Sequence, residues 1–373
     1  MSVPVFFMEP VSTLQKLAEI LEYNELLDMA AMQTDPAQRI AWVAAFAVSL
    51  YPATERCYKP FNPILGETFE WHDLSRDVHL MSEQVSHHPP IGAAFASAKD
   101  WTYQIVSAPK TKFLGNSLEV YPVNRTRITM KDNDEQFWFK SPTTTAHNII
   151  VGFSWIDTSG TFEIGSTKSG HKVVLEFTAC GWLGAGRYEF SGYVIDAEGT
   201  KKVKIQGKWN SHFEMAPCDA AGEPTGPFAK VWSCRKKPEH PYGFTNFAVS
   251  LNSAEGYVPR PGDSRRRPDR HYLEHGESGQ AQGAKTFLEE MQRAERKVRE
   301  ERGEKWEPKF FRKVDDGFDV LGSEPQADEF PFYEWRGVEG ALVPTLGEEK
   351  CGGAKFSPWC YPDAHSPLYF EDK

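Results

Sequence analysis

Apolar residues in the first fifty positions recur at the three- and four-residue intervals of amphipathic helices. One such stripe spans positions 11–21, where Ser12 followed by Gln15 matches a capping box and predicts that a helix begins there. Asp35 followed by Pro36 matches a second helix start, with a side-chain cap and proline at the first helical position. We therefore expect helices with buried apolar faces in this part of the chain.

From about residue 68 to residue 255 the pattern changes to short β-forming runs, most of them separated by turn sequences. In the run 201–209, Val203 and Ile205 alternate with lysines, which predicts one buried and one exposed strand face. So many short strands favour a meandering antiparallel sheet that curls towards a barrel, and a large barrel has room for a ligand. The predicted strands are 103–107, 117–123, 126–130, 136–140, 149–155, 161–165, 172–179, 187–196 and 201–209.

The last third of the chain mixes loop and helix patterns. Residues 259–275 are rich in Pro, Arg and Asp and are expected to form a loop, whereas 284–302 is expected to form a charged helix. Residues 314–373 are acidic and rich in Gly, Pro and aromatic residues, and we expect irregular structure there. The apolar stripe predicted for the charged helix consists of Phe287, Met291, Ala294 and Val298.

The composition is that of a folded protein with free thiols. Of the 373 residues, 40% are hydrophobic and 25% are charged, which suits a chain with a continuous core. No apolar run approaches the roughly 20 residues that cross a bilayer, and the opening MSVPVFFMEP lacks the pattern of a signal peptide. We expect a cytoplasmic protein that touches membranes without crossing them. The six cysteines include no Cys-x-x-Cys pair, so we expect neither a zinc ribbon nor disulfides.

The net charge of −10 is unevenly distributed along the chain. Residues 1–259 carry about −5, residues 260–313 about +4, and residues 314–373 about −9. Because nucleic-acid binding usually needs a broad basic surface, this acidic total argues against it. The local basic stretch fits either a solvated helix or a site for a phosphate or an anionic membrane.

The least usual string is EQVSHHPP at 83–90. Adjacent histidines can bind a metal, activate Ser86 as a nucleophile, donate ring N–H groups to an anion, or cap a turn without any ligand. The sequence shows no nearby third metal ligand and no nucleophile elbow, so the anion and turn interpretations are favoured. On an extended chain His87 and His88 point to opposite sides, so both line one site only where the chain turns. The string HYLEH at 271–275 has metallopeptidase spacing, but we expect too little helix there for a zinc site.

Two further strings are candidates for binding an anion. Lys285, Glu289 and Arg293 share one face of the predicted charged helix because they are four residues apart. They form either a salt-bridged surface ladder or a clamp in which Glu289 holds two cations ready for phosphoryl oxygens. The string KPFNPILGET at 59–68 has two prolines and a glycine that impose an unusual backbone. It is either a connector into the sheet or an anion-binding loop that uses its lysine and asparagine.

Together these strings resemble the oxysterol-binding-protein-related lipid carriers. EQVSHHPP is complete and is the fingerprint of that family, and KPFNPILGETFE at 59–70 also matches closely. SRRRPD at 264–269 and AKTFLEEMQRAERK at 284–297 follow in the same order as in the family. The resemblance covers nearly the whole chain, including HNIIVGFSWID at 147–157, and segments such as CGWLGAGRYE look most like the short plant-type members.

The resemblance implies a mainly β fold with helices: an incomplete many-stranded antiparallel β-barrel around a central lipid tunnel, with an N-terminal lid and a C-terminal charged helix. It implies a single domain over 1–373, divided into a lid and first helix (1–33), a helix and NPILGE loop (34–67), the barrel (68–255), a basic segment with the charged helix (256–313) and an acidic segment (314–373). The phosphoinositide headgroup site of the family carries over onto Lys59, Asn62, His87, His88, Lys285, Glu289 and Arg293.

The family also implies the function. Its members hold one lipid at a time, and many exchange a sterol against phosphatidylinositol 4-phosphate between membranes. We expect a non-enzymatic carrier without cofactor or metal, whose partners are a sterol, phosphatidylinositol 4-phosphate and, transiently, membrane surfaces, but not nucleic acid. The expected location is peripheral on endoplasmic-reticulum or Golgi-type membranes, and a tethering partner at the endoplasmic reticulum is left open.

Three alternatives to exchange remain. The protein is then a lipid sensor that signals through a partner, a carrier of phosphatidylserine or of the phosphoinositide alone, or a lipid hydrolase that uses Ser86. The hydrolase is disfavoured because the sequence shows no nucleophile elbow and no acid partner.

Overall fold

The computed structural model describes residues 3–122, 125–253, 258–314 and 331–337. Within these ranges, no helix is both long enough and apolar enough to cross a bilayer. The helices are α1 (Thr13–Glu19), α2 (Glu25–Ala31), α3 (Pro36–Val48), α4 (Asn246–Ser250), α5 (Pro268–Glu274) and α6 (Ser278–Arg302). The strands are β1 (Met8–Ser12), β2 (Lys59–Phe61), β3 (Thr68–Asp73), β4 (Val78–His87), β5 (Pro90–Ser97), β6 (Trp101–Ser107), β7 (Pro109–Phe113), β8 (Ser117–Pro122), β9 (Arg125–Met130), β10 (Glu135–Phe139), β11 (Thr143–His147), β12 (Trp155–Ser166), β13 (Lys172–Phe177), β14 (Glu189–Ile195), β15 (Lys201–Lys208), β16 (His212–Pro217), β17 (Ala229–Ser233), β18 (Phe311–Val314) and β19 (Phe332–Trp335).

Both predicted helix starts are confirmed. The Ser12 hydroxyl accepts the Gln15 N–H, and the Gln15 side chain accepts the Ser12 N–H, so a complete capping box precedes α1. The Asp35 side chain accepts the Ala37 N–H, and Pro36 occupies the first position of α3. These caps satisfy backbone donors that the helices themselves leave without a partner.

Within the described ranges, fifteen strands form one antiparallel sheet, and twelve of them follow the order β17-β16-β15-β14-β13-β12-β10-β9-β6-β5-β4-β3. β11 pairs with the first half of β12, and β8 and β7 continue outward from β11. The terminal strands β3 and β17 do not pair with each other, so the sheet is not closed. The predicted incomplete antiparallel barrel is confirmed, and the tunnel through its interior stays a prediction.

The sheet curls around the N-terminal helices. α3 contacts β12 to β16, while α1 contacts β3 to β5. A single apolar core joins side chains from these helices with Leu80 of β4 and Phe213 of β16, which lie near opposite ends of the strand order. Tyr51, just after α3, packs against the rings of Phe162 and Phe177. Burial of this shared core is the main driving force for the curl.

The predicted strand at 149–155 is wrong. Residues 148–154 form a loop between β11 and β12, and the strand starts only at Trp155. The N–H groups of Ile150 and Val151 donate to the Asn116 side chain, not to a neighbouring strand. Asn148 and Gly152 have positive φ angles of 56° and 104°, which a regular strand does not accommodate. The apolar residues of this run therefore face solvent.

The predicted apolar stripe of the charged helix is also wrong. Phe287 and Val298 are 37% and 38% exposed, and the helix begins earlier than expected, at Ser278. The buried face consists of Ala281, Ala284, Lys285 and Leu288. The small alanine side chains let α6 pack against α5 and against the short 3-10 turn Val5–Phe7. Packing of neighbouring elements, not hydrophobicity alone, selects the buried face.

Residues 259–275 were expected to form a loop, but α5 forms within them. Pro268 stands at the first helical position, where its missing N–H costs nothing, and Arg270 pairs with Glu274 one turn later. In the acidic segment, β19 pairs with β18 where irregular structure was expected. This strand pair covers the outer face of β4–β6, where the rings of Trp335 and Phe95 stack at 5.0 Å. The rest of the predicted acidic segment, 315–330 and 338–373, lies outside the described residues.

The lid predicted for residues 1–33 stays a prediction, but most of that span belongs to the core. Leu14, Leu21 and Leu27 are fully buried between the sheet and the neighbouring helices. Deleting the first thirty residues would therefore remove core side chains and unfold the protein. Any lid motion that leaves the core intact must involve the residues that precede α1.

Replacing Ser12 by alanine is expected to lower the free energy of unfolding by about 1–2 kcal/mol. The substitution removes the α1 cap and a buried 2.7 Å hydrogen bond to Ser264. Denaturant titration monitored by circular dichroism measures the loss. Ser191→Ala, at an exposed position of β14, is the control and should change stability by less than about 0.5 kcal/mol. Equal losses in the two variants would show that the cap is not what stabilises α1.

Candidate functional site

All seven predicted site residues line a single cavity of about 700 Å³. Three segments that are far apart in the chain form its walls: β2 with the loop that follows it, the end of β4, and α6. The seven residues are Lys59, Asn62, His87, His88, Lys285, Glu289 and Arg293. The structure therefore brings together all seven residues that the family resemblance assigned to the headgroup site, while their ligand remains a prediction.

The loop after β2 is shaped by the buried carboxylate of Glu67. One carboxylate oxygen accepts the Ile64 N–H at 2.9 Å and a guanidinium N–H of Arg267 at 2.8 Å, and the other accepts the Ser264 hydroxyl at 2.6 Å. Arg267 also donates to the carbonyl of Asn62 at 2.9 Å. Gly66, at φ 80°, provides the left-handed turn just before Glu67. These bonds hold Asn62 at the cavity wall.

The histidine pair lies where the chain reverses from β4 into β5. The rings of His87 and His88 meet edge to face, with centroids 4.9 Å apart, and both line the cavity. Burial, and then the neighbouring His88, lower the pKa of His87 to about 4. His87 donates a ring N–H to the Pro63 carbonyl, which opposes this shift. Its Nδ1 atom is buried and has no hydrogen-bond partner in the described part of the chain.

The charged helix α6 provides both the ladder and the cavity wall that its spacing suggested. Lys285 Nζ lies 2.6 Å from one oxygen of Glu289, and Arg293 lies 3.2 Å from the other. Exposure rises along the ladder, with side-chain values of 8%, 32% and 62% for Lys285, Glu289 and Arg293. Glu289 therefore holds two cations at the cavity, one buried and one open to solvent.

Lys59 faces these groups from β2. Much of its side chain is exposed, but the enclosed surroundings of its ammonium group, and then the charge of Lys285, lower its pKa. The charge of Glu289 acts in the opposite direction. A ligand that brings negative charge between Lys59 and Lys285 relieves their mutual repulsion, so the cavity favours an anion.

Further cations line the cavity that the sequence reasoning missed. They are Arg267, Arg296 and Arg299. Spacing along α6 provided a signal for Arg296, since it follows Arg293 by three residues and lies on a neighbouring part of the same face. With them, the described part of the chain presents six lysines and arginines to the cavity against three glutamates. The cavity therefore has an excess of positive charge although the whole chain carries −10.

The buried Glu83 anchors the end of the barrel beside the histidines. Its two carboxylate oxygens accept the N–H groups of Lys309 at 2.7 Å and Phe310 at 2.8 Å. Burial raises the pKa of Glu83 to about 7, against the opposing effect of these hydrogen bonds. The pairing fixes the chain that leads into β18, whose partner β19 contributes Tyr333 to the cavity wall.

The HYLEH string lies outside this cavity. Contrary to expectation, most of it is helical, and ligand atoms of His271, Glu274 and His275 come within 4.8 Å of one another. Both oxygens of Glu274 already accept hydrogen bonds, from Arg270 and from Asn252, each at 2.7 Å. The carboxylate therefore serves to join α5 to the end of α4, and the absence of a zinc site stays a prediction.

Replacing Arg267 by methionine is expected to lower the free energy of unfolding by about 3 kcal/mol or more. The change leaves the buried carboxylates of Glu67 and Asp269 without their shared counter-ion. Chemical denaturation measures the loss. Arg266→Met is the matched control, because this neighbouring arginine donates one hydrogen bond to the Pro259 carbonyl. A loss at Arg267 no larger than that at Arg266 would contradict the role assigned to the buried pair.

Known proteins resemble this chain along most of its length. The family model of the oxysterol-binding proteins matches residues 1–334. Oxysterol-binding protein-related protein 3B of Arabidopsis thaliana is 40% identical over 371 residues, which cover 97% of this chain and 80% of that protein.

Solved structures show the same fold. The Osh1 ORD domain in complex with cholesterol is similar with a TM-score of 0.81 and 32% identity, over 90% of this chain and 82% of that one. The Osh3 ORD in complex with PI(4)P, from Saccharomyces cerevisiae, is similar with a TM-score of 0.73 and 34% identity, over 84% of this chain and 83% of that one. With a family match over residues 1–334, the chain belongs to the oxysterol-binding protein family.

Proposed function

We propose that this protein binds a sterol or phosphatidylinositol 4-phosphate, one at a time, in its barrel and transfers them between membranes. The observation that carries the proposal is the convergence of three distant sequence segments on one cationic cavity. The similar structures support it, because one was solved with cholesterol and another with PI(4)P.

The cavity suits a phosphorylated headgroup. A phosphate cannot be buried among apolar side chains without compensation, so it stays where charge-assisted hydrogen bonds replace water. Lys285 and Arg293 provide two such donors, and Glu289 holds both of them in position. The buried Nδ1 of His87 is a further group that a ligand would satisfy.

The apolar part of each lipid sets the physical task. A sterol or a pair of acyl chains exposes several hundred Å² of apolar surface in water, which costs on the order of 10 kcal/mol at ~25 cal/mol/Å². A carrier lowers that barrier by offering an apolar interior during transit. Two ligands that occupy the same interior exclude each other, and this exclusion couples their transport. The transfer needs no covalent step, so we propose a non-enzymatic role.

The proposal extends to location and partners. Peripheral association with endoplasmic-reticulum or Golgi-type membranes remains a prediction, as does a tethering partner at the endoplasmic reticulum.

Lipid extraction tests directly whether the protein binds both lipids. The purified protein is mixed with liposomes containing a sterol, phosphatidylserine and phosphatidylinositol 4-phosphate, re-isolated, and its bound lipid identified by mass spectrometry. Sterol and phosphoinositide that displace each other are the expected result; bound phosphatidylserine or phosphoinositide alone would replace exchange with one of the alternative carrier functions.

Replacing His87 and His88 together by alanine is expected to reduce phosphoinositide extraction at least about tenfold while sterol binding persists, because charge-assisted donors to the headgroup are lost. His271→Ala with His275→Ala is the matched control, since it removes two histidines of α5 and its C-terminus that do not line the cavity. Liposome extraction and sterol fluorescence measure the two activities. Equal loss of both ligands in a folded His87/His88 variant would count against a headgroup role.

Headgroup binding is expected to take up a proton at His87. In the free protein the pKa of His87 is about 4, so the ring is neutral at pH 7. A phosphate beside the ring favours the imidazolium and raises this pKa, so the affinity of the wild type relative to His87→Asn should increase as pH falls from about 8 towards 6. Calorimetry in buffers of different ionisation enthalpy measures the proton uptake. Identical uptake by the wild type and the variant would assign the proton to another group.

A further inference from the structure

Three loops at one end of the barrel hold large apolar side chains in solvent. They are the β7–β8 loop, the β11–β12 loop and the β13–β14 loop. We call the exposed apolar side chains of these loops and of the end of β7 the apolar rim: Phe113 (59% exposed), Leu114 (46%), Ile150 (67%), Val151 (72%), Phe153 (95%), Trp182 (87%) and Leu183 (93%). Contiguous apolar surface of this kind usually marks a contact with a membrane or a partner.

The three loops are joined to one another. The Asn116 side chain accepts the N–H groups of Ile150 and Val151 and donates to the Val151 carbonyl, so the first loop is attached to the second. The third loop meets the start of β12, where the Cys180 N–H donates to Asp157 at 2.9 Å. The rim is therefore one surface built from three parts of the chain.

Hydrogen bonds to the backbone within two of the loops hold the rim side chains in their exposed positions. Within the β11–β12 loop, the Asn148 side chain donates to the Phe153 carbonyl, and the Ser154 hydroxyl donates to the Asn148 carbonyl. In the β13–β14 loop, the Gly181 N–H donates to the Ala185 carbonyl at 2.8 Å, and Leu183 has a φ of 57°, in the left-handed region. A large side chain rarely adopts this conformation, so its use to direct Leu183 outward is typical of a functional site.

The rim lies at the same end of the strands as the headgroup cavity. β4 runs towards the histidine turn, and antiparallel pairing places the ends of β6, β10 and β13 at that same end. The rim loops extend from this end. The opposite end carries the β3–β4 turn with Leu74 and the end of α2 with Met32, which are also exposed.

The charge of these loops suits an anionic surface. Positions 113–116, 148–154 and 178–188 contain no aspartate or glutamate, although the chain has 52 acidic residues. Lys112 lies on the exposed strand β7 beside the first loop, and Arg187 ends the third loop with its guanidinium 4.7 Å from the ring centroid of Trp155. Tryptophan and phenylalanine beside basic residues are the side chains that bind the interface of an anionic bilayer.

We propose that the apolar rim inserts into the bilayer of the donor or acceptor membrane and positions the cavity mouth against its headgroups. The inference rests on the proposed lipid transfer and names the surface through which it occurs. Because these side chains are already between 46% and 95% exposed, insertion removes apolar area from water without unfolding any part of the barrel.

The test compares two double variants of the full chain. Phe153→Ser with Leu183→Ser removes two rim side chains, and Met32→Ser with Leu74→Ser removes two exposed apolar side chains at the opposite end. Flotation with phosphatidylcholine vesicles, with and without phosphatidylserine, measures membrane binding. A water-soluble short-chain phosphatidylinositol 4-phosphate measures the cavity without a membrane, and sedimentation measures self-association.

The rim variant is expected to bind vesicles about tenfold more weakly and to transfer lipid correspondingly more slowly, while its affinity for the short-chain lipid is unchanged. The control pair should match the wild type in all three measurements. Unchanged vesicle binding in the rim variant, or an equal loss in the control, overturns the proposal. The proposal is also overturned if the wild type self-associates through the rim and the substitutions leave vesicle binding unaffected. The rim would then be a contact between two copies of the protein. Vesicle binding that depends on the rim, without any lipid extraction, would support the rim as a membrane contact and refute the proposed function.

Discussion

The buried carboxylate of Glu67 joins the loop after β2 to a basic segment about 200 residues further along the chain. It accepts hydrogen bonds from the Ile64 backbone, the Ser264 hydroxyl and the Arg267 guanidinium. A buried charge is tolerated only when all of these partners are in place, because desolvation otherwise outweighs any gain. The loop after β2, the start of the sheet and the basic segment must therefore assemble together. The wall of the cationic cavity is a consequence of that assembly.

An acidic protein forms a cationic site by placing charge locally. Lys285 is buried beside Glu289, Lys59 faces it from another segment, and the arginines of α6 continue the same wall. Repulsion between neighbouring cations and burial of His87 both disfavour positive charge in the cavity. An anionic ligand reverses that balance, since it compensates several cations at once. Repulsion among the cavity cations therefore supports the proposal that an anionic group binds there.

The antiparallel topology decides where the surfaces lie. Alternate strand connections fall at the same end of the sheet, so the histidine turn and the loops of the apolar rim share one end although they are distant in sequence. The opposite end carries the β3–β4 turn. The proposed headgroup binding and the proposed bilayer contact then require a single orientation of the protein. Because the sheet is open, the N-terminal helices pack against it and share its apolar core.

Much of this fold followed from local rules, because caps and strand alternation depend on neighbours along the chain. The capping box at Ser12 and the buried parity of Val203 and Ile205 are of this kind, and motif resemblance led to seven of the residues that line the cavity. The loop at 148–154 and the buried face of α6 were not predictable in the same way. Whether an apolar residue is buried depends on which other element packs against it. The loop at 148–154 is held by Asn116, more than thirty residues earlier, and α6 packs against α5, a helix that the sequence did not predict. By itself the sequence determined the caps, the strand periodicity and seven residues of the site. Only the tertiary structure decided which faces are covered and which further arginines line the cavity, because burial is a property of contacts between elements.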